Sequence, residues 1–149
     1  MNAELRKDDL LFIDTNVLIY AYDRSNARKN RVAIQLMEGC WENENGCLSL
    51  QVLQEFYVNV TQKIPVPLER NTARQIISDF SQWQVHIPEV GDVLQAIDLQ
   101  QAYALSFWDA MVIQSTIRLG CKQVISEDLS HGQIYAGVQV INPFDGRAV

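Results

Sequence analysis

The sequence predicts a three-layer α/β/α domain built around a mostly parallel sheet of four or five strands. Three observations indicate this class of fold. Short apolar runs alternate with longer helical patterns, the apolar runs end in polar or acidic residues, and no repeat or flexible linker divides the 149 residues. A chain of 17.0 kDa is long enough to bury one full core. We therefore expect residues 1–149 to form a single domain.

The composition predicts a soluble, cytoplasmic protein that does not enter the membrane. The hydrophobic fraction of 48% is typical of globular proteins, and no apolar run approaches the roughly 20 residues of a membrane span. The first nine residues are polar and of mixed charge, unlike a secretory signal. Three cysteines without Cys-x-x-Cys spacing predict reduced thiols, with neither a disulfide framework nor a zinc site.

The net charge of −6 limits the ways in which the protein could bind nucleic acid. Broad electrostatic binders of nucleic acid are usually basic, so the charge argues against that class. It does not exclude an enzyme that meets phosphate through bound divalent cations, because such ions invert the local field.

The first predicted element is a buried strand within residues 10–16. Four apolar residues run without interruption and stop at Asp14, Thr15 and Asn16, as in a strand covered on both faces. Residues 17–22 then predict a short helix with Thr15 or Asn16 near its cap. Asp14 is therefore expected at the carboxyl end of a central strand, where α/β proteins bind ligands, although these residue types are also ordinary in turns.

The middle of the chain predicts three helices and two short strands. A helix over about residues 27–41 precedes a brief strand at 46–48, and Ser49 caps a helix that extends to about residue 63. Two prolines then interrupt the chain before a helix over about 68–82 and a strand at 84–87.

The last third predicts two helices and two strands. A helix over about residues 90–105 is followed by one that begins after Ser106 and stops at Gly120. A strand at 123–126 ends in the acids Glu127 and Asp128, and a final strand covers 138–141.

Four carboxylates are candidate site residues: Asp14, Glu55, Asp109 and Asp128. Asp14 and Asp128 follow different strands, whose ends share one sheet edge if both strands are central and parallel. Asp109 also fits a Ser-x-x-Asp capping box, and Glu55, off the apolar stripe of its helix, also fits a solvated surface. Spacing alone leaves these alternatives open.

Convergence of the four acids would require positive charge between them. Two like charges about 4 Å apart repel by about 4 kcal/mol at an effective dielectric constant of ~20. Ligand sets made only of oxygen select Mg²⁺ or Mn²⁺ over zinc. Paired with phosphate, such ions would activate a water for in-line attack and stabilise the leaving oxygen.

At these residues the chain resembles the PIN domain, and most closely the VapC-type toxins of bacterial toxin–antitoxin pairs. The resemblance covers nearly the whole chain in the family's order. It is carried by Phe12-Ile13-Asp14-Thr15-Asn16-Val17-Leu18, by Glu55, by Phe107-Trp108-Asp109-Ala110 and by Ser126-Glu127-Asp128-Leu129. It implies a metal-dependent ribonuclease whose acidic site consists of Asp14, Glu55, Asp109 and Asp128.

The resemblance also implies individual roles. Asp14 and Asp109 match the acids that most directly hold Mg²⁺ or Mn²⁺, and Glu55 matches a helix glutamate that helps to bind the metal or the attacking water. Asp128 matches the last acid of the family pattern. Asn16 and Ser126 match polar neighbours that orient the site, although threonine is frequent at the second of these positions.

The resemblance further implies an RNA substrate, a small protein antitoxin that blocks the cleft, and a homodimer. The densest basic cluster is the one that we expect to contact RNA, although a solvated helix face fits it as well. This cluster consists of Arg24, Arg28, Lys29 and Arg31.

Two other enzyme classes fit less well. A phosphatase of the haloacid-dehalogenase type needs a second Asp two residues after the first, where this chain has Asn16. A phospho-acceptor receiver domain needs paired acids after its first strand and a lysine after its last, and neither is found. A housekeeping RNA-processing PIN nuclease and a non-catalytic binding module with the PIN fold remain open alternatives.

Overall fold

A mostly parallel sheet lies at the centre of the protein in the computed structural model, which describes residues 9–146. The described strands are β1 (Leu11–Ile13), β2 (Gly46–Ser49), β3 (Gln84–His86), β4 (Gln123–Ile125), β5 (Ile134–Tyr135) and β6 (Val138–Ile141). The described helices are α1 (Thr15–Tyr20), α2 (Ala27–Asn43), α3 (Leu50–Gln62), α4 (Arg70–Phe80), α5 (Val90–Tyr103) and α6 (Phe107–Arg118). The strand order is β3-β2-β1-β4-β6-β5. The fold class predicted from the sequence is therefore confirmed.

The position of β1 in the sheet determines where the site forms. This strand pairs in parallel with β2 on one side and β4 on the other, and its three residues are at most 4% exposed. Ile13 lies opposite Ile125 in the register. Because the two strands are parallel, the residues that follow them, Asp14 and Ser126, emerge at the same edge of the sheet.

Within residues 9–146 the sheet has six strands rather than the four or five expected, because the sequence does not predict β5. This two-residue strand pairs antiparallel with β6, Tyr135 opposite Val138. Ala136 and Gly137 connect the two strands and have φ angles of 50° and 85°. Positive φ at both central residues defines the hairpin turns that normally carry Asn-Gly or Asp-Gly. An alanine in the first position is a weak turn signal, so the hairpin was missed.

The cap of α1 also differs from the prediction. The helix is capped by Asp14 and not by Thr15 or Asn16, both of which lie inside it. The Asp14 backbone is extended, with ψ of 155°, and its Oδ1 accepts a hydrogen bond of 2.8 Å from the Thr15 N–H. The residue that caps the helix is therefore also the residue that directly follows β1. By contrast, Ser49 and Ser106 cap α3 and α6 as predicted.

A buried polar network joins β3 to α5 and α6. His86 Nδ1 lies 2.8 Å from Ser115 Oγ, and its Nε2 lies 3.2 Å from Asp92 Oδ2. Asp92 Oδ1 accepts hydrogen bonds from Gln114 and Arg118. This set resembles a Ser-His-Asp triad in composition, but Ser115 is 1% exposed and Asp92 is fully buried, so the network has a structural role.

The described residues include Cys40, Cys47 and Cys121. All three are buried and none forms a disulfide. Between residues 9 and 146, no helix has the length and apolar character needed to cross a membrane.

Candidate active site

The four predicted acids line one cleft of about 210 Å³ at the carboxyl edge of the sheet. They reach it from separate parts of the chain: the end of β1, the middle of α3, the first turn of α6 and the loop after β4. Sequence distances of up to 114 positions, between Asp14 and Asp128, are thereby closed by the strand order.

Asp14 is the most buried of the four acids, with 5% of its surface exposed. Its Oδ2 accepts hydrogen bonds of 2.8 Å from the Ser126 hydroxyl and 3.2 Å from the Asn16 amide. Burial raises the pKa of Asp14 to about 6, because the charged form loses water; the Asp128 and Glu55 charges add to this rise, and the Ser126 and Thr15 hydrogen bonds oppose it. Its carboxylate therefore carries unfavourable negative charge at neutral pH.

Glu55 is half-buried and held at both carboxylate oxygens. The Thr15 hydroxyl donates to Oε2 at 2.9 Å, and the Gln51 amide donates to Oε1 at 2.9 Å. Gln51 lies one turn before Glu55 on α3, on the polar face that the sequence predicted for this helix. The polar face of α3 therefore forms one wall of the cleft instead of facing bulk solvent.

Asn16 and Ser126 connect the first and last acids. The Ser126 hydroxyl donates to Asp14 and accepts from the Asp128 N–H at 3.2 Å. Asn16 donates to Asp14 and accepts from the Glu127 N–H at 3.0 Å. These two polar side chains thus tie the loop after β4 to the end of β1, which is what an orienting role requires.

Asp109 lies in the first turn of α6, where its N–H donates to the Ser106 hydroxyl at 3.1 Å. The cap of α6 is therefore made by Ser106, and the Asp109 side chain itself lines the cleft. The capping explanation and the site explanation are compatible, because the first uses the backbone of Asp109 and the second its carboxylate.

Glu127, which the sequence did not single out, links the cleft to α1 and α2. Its carboxylate forms an ion pair with Lys29 and accepts a hydrogen bond of 3.1 Å from the Tyr20 hydroxyl. The Lys29 ammonium also lies 5.0 Å from the centre of the Tyr20 ring and 5.3 Å from that of Phe144. The Glu127 carboxylate raises the pKa of Lys29, so this lysine stays charged.

The predicted basic cluster divides into two kinds of residue. Lys29 is committed to Glu127, and the Arg28 guanidinium donates to the Phe144 carbonyl. Arg24 and Arg31 are exposed. None of these four side chains lines the cleft.

The donor set of the cleft fits a hard divalent cation, because its candidate ligands are all oxygen atoms. No three His, Cys, Asp or Glu side chains within residues 9–146 already stand close enough to enclose an ion. The acids thus share a cleft rather than a closed ligand cage, and side-chain rotation would have to bring them together. The raised pKa of Asp14 is consistent with a place that favours added positive charge.

Two cleft residues have roles that the sequence does not reveal. The pattern indicates Thr15 only as a possible cap, whereas its hydroxyl orients Glu55. The sequence includes Trp108 in a family motif but assigns no role to it. In the structure Trp108 lines the cleft and is 61% exposed. The exposure of a tryptophan depends on tertiary packing, so no pattern in the sequence could have indicated it.

The sequence matches the family model of the PIN domain over residues 11–136. No curated protein is significantly similar to it in sequence. The fold is similar to that of a toxin–antitoxin complex from Klebsiella pneumoniae, with a TM-score of 0.65 and 20% identity over 91% of this chain and 98% of that one.

Two further solved structures have a similar fold. One is VapC20 of Mycobacterium tuberculosis, described as a toxin that cleaves the sarcin–ricin loop, with a TM-score of 0.60 and 16% identity over 79% of this chain and 89% of that one. The other is VapBC2 of Rickettsia felis bound to a promoter DNA fragment, with a TM-score of 0.62 and 11% identity over 88% and 96%. At these identities the likeness is one of fold.

Proposed function

The chain belongs to the PIN domain family, and from this premise we propose that it is a metal-dependent endoribonuclease. The observation that carries the proposal is the single cleft lined by four acids from four separate parts of the chain. Such a concentration of carboxylates costs free energy in a folded protein unless cations neutralise it. The reaction is hydrolysis of an RNA phosphodiester bond.

We assign the cofactor as Mg²⁺ or Mn²⁺, held by Asp14 and Asp109 with help from Glu55 and Asp128. Oxygen-only donors select these ions over softer metals. When bound, the ion supplies the charge that activates a water and stabilises the leaving oxygen.

The protein's own side chains supply orientation. Ser126 and Asn16 orient the Asp14 carboxylate through hydrogen bonds, and Thr15 and Gln51 orient that of Glu55. An anchored, half-buried glutamate is suited to accept a hydrogen bond from the attacking water and fix its approach to phosphorus. Asp128, which is exposed, is positioned by its N–H contact with Ser126.

We further propose that the enzyme is the toxin of a toxin–antitoxin pair. The similar solved structures include toxin–antitoxin complexes and a toxin that cleaves an RNA loop. The partner would be a small protein antitoxin that covers the cleft. A housekeeping processing nuclease is the alternative, and a neighbouring gene for a DNA-binding antitoxin would distinguish the two. A non-catalytic binding module would not require all four acids.

We also propose that the protein forms a homodimer through the exposed face of α5. Val90, Leu94 and Ile97 recur on this face at helical spacing, and Val90 is 76% exposed. The neighbouring exposed positions on the helix are largely uncharged. Since each copy carries a net charge of −6, a nearly neutral apolar face is where two copies can meet with least repulsion.

Cleavage of a labelled single-stranded RNA by purified protein tests the proposed activity. We expect cleavage with Mg²⁺ or Mn²⁺ and none with a chelator. The cleavage rate should fall by about 100-fold or more in Asp14→Asn and in Asp109→Asn. The matched control is Asp98→Asn, which changes an exposed acid on α5 outside the cleft and should retain activity.

Two outcomes would contradict the proposal. Equal cleavage by the wild type and Asp14→Asn would point to a contaminating nuclease. Cleavage that persists in the chelator would exclude the assigned cofactor.

A further inference from the structure

Trp108 is a largely exposed tryptophan that lines the cleft. It is 61% exposed, on the first turn of α6, directly before Asp109. Its ring meets that of Phe107 edge-on, with centroids 5.1 Å apart and an interplanar angle of 73°. Trp41, another exposed tryptophan, is instead stacked on Phe80 and packed against Trp83. The surface of Trp108 thus remains available for a ligand.

The surroundings of Trp108 give the cleft one apolar wall. Val112 lies one helical turn after Trp108, and Ile19 lies on α1; all three line the same cleft as the four acids. A phosphodiester substrate has a charged part and a flat, largely apolar part. The acids and their cations would bind the charged phosphate. The flat, largely apolar part would lie against the apolar wall beside them.

The charge of the protein favours a non-ionic source of affinity for RNA. The chain carries a net charge of −6, and the cleft itself is lined by carboxylates, so electrostatic attraction for RNA is weak. Stacking of a base on an aromatic ring supplies affinity that does not depend on neutralising phosphates.

We propose that Trp108 is the stacking platform for a nucleobase adjacent to the cleaved phosphate. The proposal rests on the function proposed above and names a subsite within it. An RNA base is favoured over a protein side chain because Trp108 and Asp109 are consecutive and line one cleft. A base flanking the phosphate at Asp109 is therefore close to the indole.

Binding of a short fluorescent single-stranded RNA to Asp14→Asn protein, which leaves the RNA intact, tests this subsite. We expect Trp108→Ala in that background to weaken binding about 10-fold, within the range measured for loss of one stacked base. Trp108→Phe, which keeps a ring, should remain within about threefold of the parent. The loss should be the same at every point of a salt series, because no phosphate contact is removed.

RNAs that carry one abasic site, moved along the strand, identify the stacked base. At one position the abasic site should weaken binding to the parent and cause no further loss in Trp108→Ala, because both changes remove the same contact. The matched control is Ile117→Ala, an exposed apolar residue on the opposite face of α6, which should bind every RNA as the parent does.

The outcomes separate the subsite from the function. If the parent binds RNA and Trp108→Ala binds it equally well, the stacking platform alone is overturned. The same conclusion follows if the abasic site weakens binding to the parent equally at every position. Failure of the parent to bind any RNA overturns the proposed substrate and the subsite with it. If Trp108→Ala binds RNA normally but no longer binds a protein that co-purifies with the parent, the stacking platform is overturned. Trp108 then contacts a protein partner.

Discussion

The burial of Asp14 destabilises the folded protein at the pH where the site is proposed to work. Its pKa is about 6 in the folded protein, above the ordinary value of 3.8 that applies to the unfolded chain, so the folded state holds the proton more tightly. The cost is absent below about pH 4 and grows as the pH rises towards 6, where the folded protein must ionise the buried group.

Asp14→Asn should therefore stabilise the metal-free protein in a pH-dependent way. We expect a gain of up to roughly 3 kcal/mol above pH 6 and little or none near pH 4, reduced where the amide fits the Ser126 and Asn16 donors less well. Urea unfolding in a chelator at both pH values measures the difference. A difference that stays constant with pH would show that ionisation of Asp14 is not its cause.

Lys29 and Arg31 lie two residues apart on α2 and should behave differently. Because Lys29 pairs with Glu127, next to Asp128, Lys29→Met should lower kcat about 10-fold and leave KM and the salt dependence of RNA binding unchanged. Exposed Arg31, changed to Gln, should weaken RNA binding and lower its salt slope by about 0.7 for a single strand.

Steady-state kinetics and a salt series on both variants separate the two roles. Lys29→Arg, which keeps the charge, should restore kcat. If Lys29→Met instead raises KM and reduces the salt slope, then Lys29 contacts RNA directly, as the basic cluster in the sequence predicts.

Asp92 connects elements rather than lining a site. Burial would raise the pKa of Asp92, but the Glu89 N–H, the Gln114 amide, His86 and Arg118 together lower it to about 2. The folded pKa is thus below the unfolded value of 3.8, and the associated stability is present above about pH 4 and lost as the pH falls towards 2. The network couples β3, α5 and α6 through one carboxylate.

Asp92→Ala should destabilise the protein by about 3–5 kcal/mol, because it leaves buried donors on two elements without their acceptor. Thermal and urea unfolding at neutral pH measure the loss. Glu89→Ala, on the exposed capping residue of the same helix, is the control and should cost about 1 kcal/mol. A loss for Asp92→Ala no larger than that of the control would show that the network contributes little.

The β5–β6 turn holds an alanine in a conformation that alanine rarely adopts. Ala136 has φ of 50° and is exposed. Ala136→Asn should raise stability by roughly 0.5–1 kcal/mol, because asparagine tolerates left-handed backbone and Asn-Gly is the preferred pair for this turn. Denaturant unfolding tests this, with Gln133→Asn, an exposed change before β5, as control. Loss of stability in Ala136→Asn would contradict the turn geometry.

Most elements were predictable because their signals are local. Ser49 and Ser106 precede helices and cap them, and apolar runs became β1, β4 and β6 with boundaries shifted by one residue at most. The hairpin and the cap of α1 were not predictable, because each depends on backbone angles that another residue type usually marks. Long-range contacts such as Tyr20 with Glu127 leave no trace in local pattern.

At the scale of the whole molecule, the four acids were grouped by their resemblance to one family in order along the chain. Spacing alone could not bring Asp109 or Glu55 to the cleft, because each has an adequate explanation as a cap or a surface residue. The strand order explains the proximity of Asp14 and Asp128, since it places the ends of β1 and β4 side by side, whereas the positions of α3 and α6 bring Glu55 and Asp109 to the cleft. Neither the family resemblance nor the spacing of the sequence indicates the exposure of Trp108.

The proposed homodimer predicts that one charge on α5 is enough to separate two copies. Leu94→Glu should convert a dimer to a monomer, because it places two like charges near the two-fold axis, and should leave the melting temperature of the subunit nearly unchanged since Leu94 is 58% exposed. Gln95→Glu, an exposed change on another side of α5, is the control. Sedimentation velocity measures the state. A wild type that is monomeric at every concentration would refute the dimer.

The pairing of β1 with a late strand has a consequence for synthesis on the ribosome. Asp14 and Glu55 emerge early, whereas Asp109 and Asp128 follow much later, and β1 finds its partner β4 only after residue 125 has been added. A nascent chain therefore carries an open β1 edge until β4 has been made, and it holds only two of the four cleft acids until Asp109 has been added. On the proposed function, the ribosome that makes this nuclease works beside an incomplete and inactive centre until Asp128 has been added.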